Sequence, residues 1–327
     1  MASVIALIQA AVIFGTVIMF GAMGEIIAEK SGSLNLGVPG IMYIGGIAGL
    51  VGVFFYEGST DSPSKLVCLL IAVVCTFAAS CLAGLLFGFL TITLRANQNV
   101  TGLTLTIFGS GVGNFFGGSL NKLAGGVGQI SVATTSAAFT TKIPVLSGLG
   151  AVGKIFFSYG FMVYLAIIMA IIAQWYISKT RRGLSLRAVG ENPAAADAAG
   201  IDVTKYKYLA TTIGAGICGL GGMFYVMDYT KGTWANDGTI ETLGWLAVAL
   251  VIFATWKPVN VIWGSYLFGV LYWLYYYIEG LSRSTAELFK MLPYVVTILV
   301  LIFISLRRKK ENQPPASLGL NYFREDR

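Results

Sequence analysis

The side chains best suited to recognising a solute in this sequence are uncharged. Asn97, Gln98, Asn99 and Thr101 cluster together, Ser110 and Asn114 follow at helical spacing, and Phe108 and Phe115 are interleaved with them. Asn35 lies in a separate turn rich in glycine and serine. Such amides, hydroxyls and rings offer hydrogen bonds and aromatic surface to a neutral solute without binding it as a charge would. Taken singly, Asn35 and Asn97 to Asn99 also suit helix capping, and Asn114 suits a bond between helices. Catalytic chemistry is poorly supplied. There is no histidine, which removes the commonest general base and metal ligand. Cys68, Cys75, Cys81 and Cys218 lie in apolar stretches without CxxC spacing, so they read as small core residues rather than a zinc site or disulfide framework. The run GLGAVGK at 148–154 fits the glycines and lysine of a phosphate loop, but Ile155 stands where magnesium binding wants Ser or Thr, and no strand precedes it. A GxGxxG at Gly214, Gly216 and Gly219 sits inside an apolar run, where close helix packing explains it.

The elements that must carry these groups are membrane helices. Of 327 residues, 56% are hydrophobic and 11% charged, with a mean hydropathy of +0.76. A soluble domain needs no such excess. A hydrocarbon core about 30 Å thick takes roughly 20 apolar residues of helix. Charge-free stretches of that kind run over 4–24, 38–56, 66–92, 100–118, 156–177, 208–227, 244–278 and 291–306. The seventh is broken by Lys257 and Pro258 and counts as two. The first lacks a basic leader and is expected to be a span, not a cleaved signal. The fold class expected is all-α integral membrane, a polytopic bundle of about eight to ten spans, with 25–37 and 119–153 as possible re-entrant elements.

Alternating the spans, with the tail at 307–310 inside, puts 15 Lys and Arg inside and 7 outside, accounting for all 22. That satisfies the positive-inside rule, so the net charge of +7 needs no RNA or acidic-lipid partner to explain it. The chain divides into a membrane domain, 1–306, which includes an inside loop at 178–207, and a basic tail, 307–327. Glu25, Asp228 and Glu279 stand only at span ends. Ion-coupled carriers usually need ionisable groups within the membrane, so this chain looks to lack its own energy source. Glycines four residues apart, such as Gly109, Gly113 and Gly117, suit close helix packing, and Tyr272 to Tyr277 suit an interfacial belt.

The inside loop encodes a short, sharply bounded helix. Asn192 can cap it, Pro193 fits its first turn, the alanines favour helix, and Gly200 can take a left-handed C-cap. By pattern it suits either a groove in another protein or a plain surface linker.

Four blocks resemble a known family: GLSLRAVGENPAAADAAGI at 183–201, GWLAVALVIFATWKPVNVIWGSYLFG at 244–269, MLPYVVTILVL at 291–301 and EKSGSLNLGVPGIM at 29–42. They are similar to permeases of ABC importers for nucleosides, within the group that includes ribose and branched-chain amino acid permeases. The resemblance implies that Gly190, Glu191, Asn192, Pro193, Ala196 and Asp197 form a coupling helix docking onto a cytoplasmic ATPase. It further implies a second, related permease, one ATPase chain with two nucleotide-binding halves, a substrate-binding lipoprotein, and residence in a bacterial plasma membrane. ATP and magnesium are expected on the ATPase, with no cofactor, metal or catalytic residue in this chain and no nucleic acid as partner. Two departures are Pro39, where the family often has Glu, and FATW at 253–256, where FGRW is usual.

The expected function is nucleoside import by alternating access, with Asn35, Asn97, Gln98, Asn99, Thr101, Phe108, Ser110, Asn114 and Phe115 as candidate pathway residues. The rivals are a permease for a simple sugar such as ribose, a passive facilitator or secondary carrier, and a membrane-embedded enzyme. The enzyme is disfavoured by the missing histidine and by the lack of a carboxylate pair at bilayer depth.

Overall fold

Why the helices form is plain from their content: long runs of Leu, Ile, Val, Ala and Phe with polar or Pro/Gly breaks between them, in a solvent where every backbone group must bond internally. The computed structural model describes residues 2–123, 130–142, 150–235, 237–278, 280, 282–307 and 312–323. In chain order the helices are α1 (Ala2–Glu29), α2 (Val38–Ser59), α3 (Lys65–Gly88), α4 (Gln98–Leu123), α5 (Ala133–Phe139), α6 (Gly150–Phe156), α7 (Phe161–Lys179), α8 (Arg181–Glu191), α9 (Pro193–Ala198), α10 (Val203–Phe224), α11 (Thr239–Phe253), α12 (Pro258–Trp273), α13 (Arg283–Lys290) and α14 (Leu292–Arg307). Helix α3 continues into a π-helical turn at Phe89–Thr93 and α10 into another at Tyr225–Tyr229. No strand occurs among the described residues; Ser131 and Thr233 make an isolated antiparallel bridge.

The fold is a polytopic helical membrane bundle. Among the described residues, five helices are long and apolar enough to cross a bilayer, or six if α13 and α14, bent by 41° at their junction, make one span. The shortfall from eight to ten has physical causes. Helix α4 has the length, 26 residues, but its many Thr, Ser, Asn and Gly make it less apolar than the other long helices. Helices α11 and α12 have 15 and 16 residues, because the expected break at Lys257 and Pro258 divides them.

Helix α10 lies at the centre, packed against α1, α2 and α3. Of its most apolar window 83% is buried, against 28% for α3 and for α7. It gets there through glycine: a Cβ on Gly222 would lie 1.8 Å from the Met42 carbonyl oxygen, and one on Gly214 would lie 2.4 Å from that of Gly24. At the periphery, Leu82 of α3, Trp175 of α7 and Leu306 of α14 point outward, as lipid-facing side chains should. The aromatic cluster splits: Tyr276 is exposed, while Tyr272 turns inward and stacks on Phe14 with ring centroids 4.3 Å apart.

Of the possible re-entrant elements, 25–37 begins as helix, since α1 runs to Glu29, and then forms a buried turn. In 119–153, residues 124–129 and 143–149, with part of GLGAVGK, lie outside the described residues. Its described middle, α5, is fastened to the bundle by Glu57, whose carboxylate accepts from the Thr135 amide at 2.8 Å and the Thr135 hydroxyl at 2.5 Å.

Candidate functional site

The inside loop folds as its composition directs. Thr180 caps α8, its hydroxyl accepting from the Gly183 amide at 3.0 Å, and Asn192 caps α9, its Oδ1 accepting from the Ala195 amide at 3.0 Å. Pro193 occupies the first turn of α9, and Gly200 takes φ +79° beyond its end. The six coupling candidates fall into two groups. Glu191 and Asn192 are exposed, and Pro193 is half-buried beside the exposed Ala194, Ala195 and Ala198. Gly190, Ala196 and Asp197 instead hold the loop to its own chain. Ala196, 3% exposed, packs into a small cluster with Val189, Val203 and Tyr322. A Cβ on Gly190 would meet the Lys30 carbonyl oxygen at 2.3 Å.

A second contributor to this face comes from the tail. The Ser317 amide donates to the Gly190 carbonyl at 3.0 Å and its hydroxyl donates to the same oxygen at 2.6 Å. The Gly319 amide donates to the Gly32 carbonyl at 3.1 Å, and the Tyr322 hydroxyl donates to Asp197 Oδ2 at 2.8 Å. Lys257 Nζ donates to Asn312 Oδ1 at 2.9 Å. Residues 312–322 therefore strap the α1–α2 turn, the α3–α4 turn, the inside loop and the α11–α12 break into one block. Burial pushes the Lys30 ammonium below the usual lysine range, with the Glu191 carboxylate opposing that shift.

The pathway candidates also divide. Asn35 is buried, its Oδ1 accepting from the Gly37 amide at 2.9 Å, and Asn97 caps the Val100 amide at 3.1 Å. Gln98 is buried at the start of α4, where Oε1 accepts from the Leu34 amide at 2.7 Å and Nε2 donates to Asn321 Oδ1 at 3.3 Å. Thr101 donates to the Asn97 carbonyl at 2.8 Å, and Asn99 is exposed. Of the remaining four, three share the exposed arc of α4 and one does not. Phe108 and Phe115, 54% and 60% exposed, lie two turns apart beside exposed Thr104 and Gly111, and exposed Asn114 lies about a third of a turn round next to Ile107, which is 74% exposed, whereas half-buried Ser110 lies about half a turn away, towards the glycines. The opposite face is glycine-lined. Gly109 abuts Gly40 of α2, and Gly113 and Gly117 carry the ring of Trp234. An amide-bearing face at bilayer depth is expensive against hydrocarbon, and needs water, solute or another protein surface.

Two carboxylates not singled out for this site prove central to the inside block. Glu25 and Glu29 sit four residues apart on the last turns of α1, both buried. Glu25 Oε1 accepts from the Asn35 amide at 2.9 Å, and Glu29 accepts from the indole N–H of Trp256. Trp256 and Thr255 both take positive φ, 55° and 53°, in the tight break before α12. The i, i+4 spacing of two acids at the end of an apolar run was the available signal.

Residues 7–301 match the family described as branched-chain amino acid transport system / permease component. Among curated proteins, the chain is 32% identical over 320 residues, 95% of each chain, to the nucleoside ABC transporter permease protein NupC of Lactococcus lactis. It is 31% identical, over 90% of each chain, to the guanosine ABC transporter permease protein NupQ of Bacillus subtilis. It is also 31% identical, over 98% of each chain, to the putative glucose ABC transporter permease protein TsgC13 of Haloferax volcanii. No solved structure matches.

Proposed function

From the premise that the chain belongs to the branched-chain amino acid transport system / permease component family, as an ABC transporter permease subunit, we propose that it imports nucleosides across a bacterial plasma membrane. The observation that carries this reading is the outward face of α4. Two phenylalanines flanked by hydroxyl, amide and glycine positions form an uncharged, partly aromatic wall, suited to a solute with a flat base and a hydroxylated sugar. A second, related permease closes the path opposite that wall, and a lipid-anchored binding protein delivers the solute. A cytoplasmic ATPase with two nucleotide-binding halves, holding ATP and magnesium, docks on the exposed side of α9 around Glu191, Asn192 and Ala195. Its closure displaces α9, and the strapped inside block passes that displacement to the ends of α1, α2 and α4, alternating the access of the path.

The glucose-named relative, similar along nearly the whole chain, supports a simple sugar as the second reading. Uptake of labelled guanosine, uridine and glucose into vesicles holding the permease pair, binding protein and ATPase separates the two. Nucleoside uptake that requires ATP is expected. Uptake of glucose alone selects the second reading, and nucleoside entry without the ATPase makes the chain a facilitator.

A further inference from the structure

A cavity of about 450 Å³ lies on the inside face beside α9. Its walls come from three places: Arg95 and Gln98 around the α3–α4 turn, Asp197, Asp202 and Lys207 around α9 and the start of α10, and Tyr322 of the tail.

Lys207 is the anomaly among them. It is 3% exposed, and its Nζ reaches only the Leu320 carbonyl, at 3.5 Å, the outer limit of a hydrogen bond. The ion pairs among the described residues join Lys231 to Asp228 and Lys290 to Glu287, so neither involves it. A buried ammonium carries three donors and is costly without an anion. The two carboxylates of the cavity wall have other tasks. Asp202 Oδ1 caps α10 by accepting from the Lys205 amide at 2.9 Å, and Asp197 Oδ2 takes the Tyr322 hydroxyl at 2.8 Å. Arg95 brings a second cation. Its guanidinium lies 4.6 Å over the Phe323 ring, a stacking that leaves the in-plane N–H groups for an anion.

We propose that this cavity binds a phosphate-bearing ligand between Lys207 and Arg95. The volume leaves room for more than a bare ion, and the same chemistry is offered by inorganic phosphate, a soluble phosphate ester or the headgroup of an anionic lipid. A ligand there touches α9, the α3–α4 turn and the tail at once, and so stiffens the inside block. The binding itself depends on neither the solute imported nor the docking role of α9.

The test is native mass spectrometry of the intact transporter complex in maltoside detergent, which assigns bound mass to the permease after its release in the gas phase. Three probes are added separately: sodium phosphate, adenosine monophosphate and phosphatidylglycerol. Occupancy of the wild-type permease by one of them is expected, and the probe that binds identifies the source. Lys207→Gln should weaken that binding about tenfold or more, as loss of a charge-assisted bond does, while Lys207→Arg, which keeps the charge, should retain it. Equal occupancy of wild type and Lys207→Gln, or no occupancy with any probe, would overturn the proposal.

Discussion

Helices α10 and α4 both rely on glycine, yet they end in opposite situations. In α10 the glycines face several neighbours, Gly214 against α1 and Gly222 against α2, and the helix is enclosed. In α4 they line a single side, Gly109, Gly113 and Gly117, while Gly111 on the other side has no atom within 4 Å of the Cβ it lacks. Glycine number therefore says little about a helix's role; its angular distribution says a great deal. Glycines all round make an axis that neighbours grip, and glycines on one side leave a second face free for solute or partner.

The sharpest way to break this contrast is to fill one glycine on each helix. Gly222→Val should abolish recovery of folded protein, because the new side chain meets the Met42 backbone and not a side chain that can move. Gly111→Val should leave the unfolding temperature within a degree or two and lower transport instead. Size-exclusion profiles and thermal unfolding in detergent, beside vesicle uptake, check both. Collapse of both variants, or of neither, would erase the distinction between the helices.

Next in size, Asn114→Leu on the free face should cut uptake by about tenfold, the scale of one lost hydrogen bond to solute, with thermal stability unchanged or raised. At the inside loop, the exposed residues around the start of α9 and its inward Ala196 repeat the contrast over a shorter element. Glu191→Ala should weaken the link between ATP hydrolysis and uptake with only a small loss of stability, since its carboxylate also favours the Lys30 ammonium and accepts from the Ala316 amide. Ala196→Leu should lower stability by about 1–3 kcal/mol, because it overfills the cluster with Val189 and Tyr322. Hydrolysis-to-uptake ratios and unfolding midpoints tell these apart.

The smallest effect belongs to Lys30. Its folded-state pKa lies below its unfolded value, so the unfolded chain binds more protons between those two values, and stability rises with pH across that window. Lys30→Gln should raise the unfolding temperature slightly at neutral pH, and the gain should vanish above the ordinary lysine value. A pH series of unfolding curves settles the sign.

Local rules made much of this legible. The caps at Asn192 and Gly200, the break at Lys257 and Pro258, and most of the long apolar spans follow from short-range chemistry, and all appear in the fold. What local rules missed was the direction a side chain faces. Asn35 and Gln98 carry the same amide as Asn114, yet the first two bond inside the protein and the third points out, because neighbouring elements decide which side of a helix or turn is covered. The inward turn of Ala196 was hidden for the same reason. The tail's attachment was least visible, since nothing within PPASLGL names Gly190 or Gly32 as its partner, and the pairing spans most of the chain.

That attachment carries a consequence for biogenesis. A ribosome delivers Gly319 only after Gly32 and all the described helices between them, so the block that joins these two residues stays open while those helices are made and closes once residues 312–322 have emerged. A chain cut between α14 and Ser317 would keep every described helix and lack this latch.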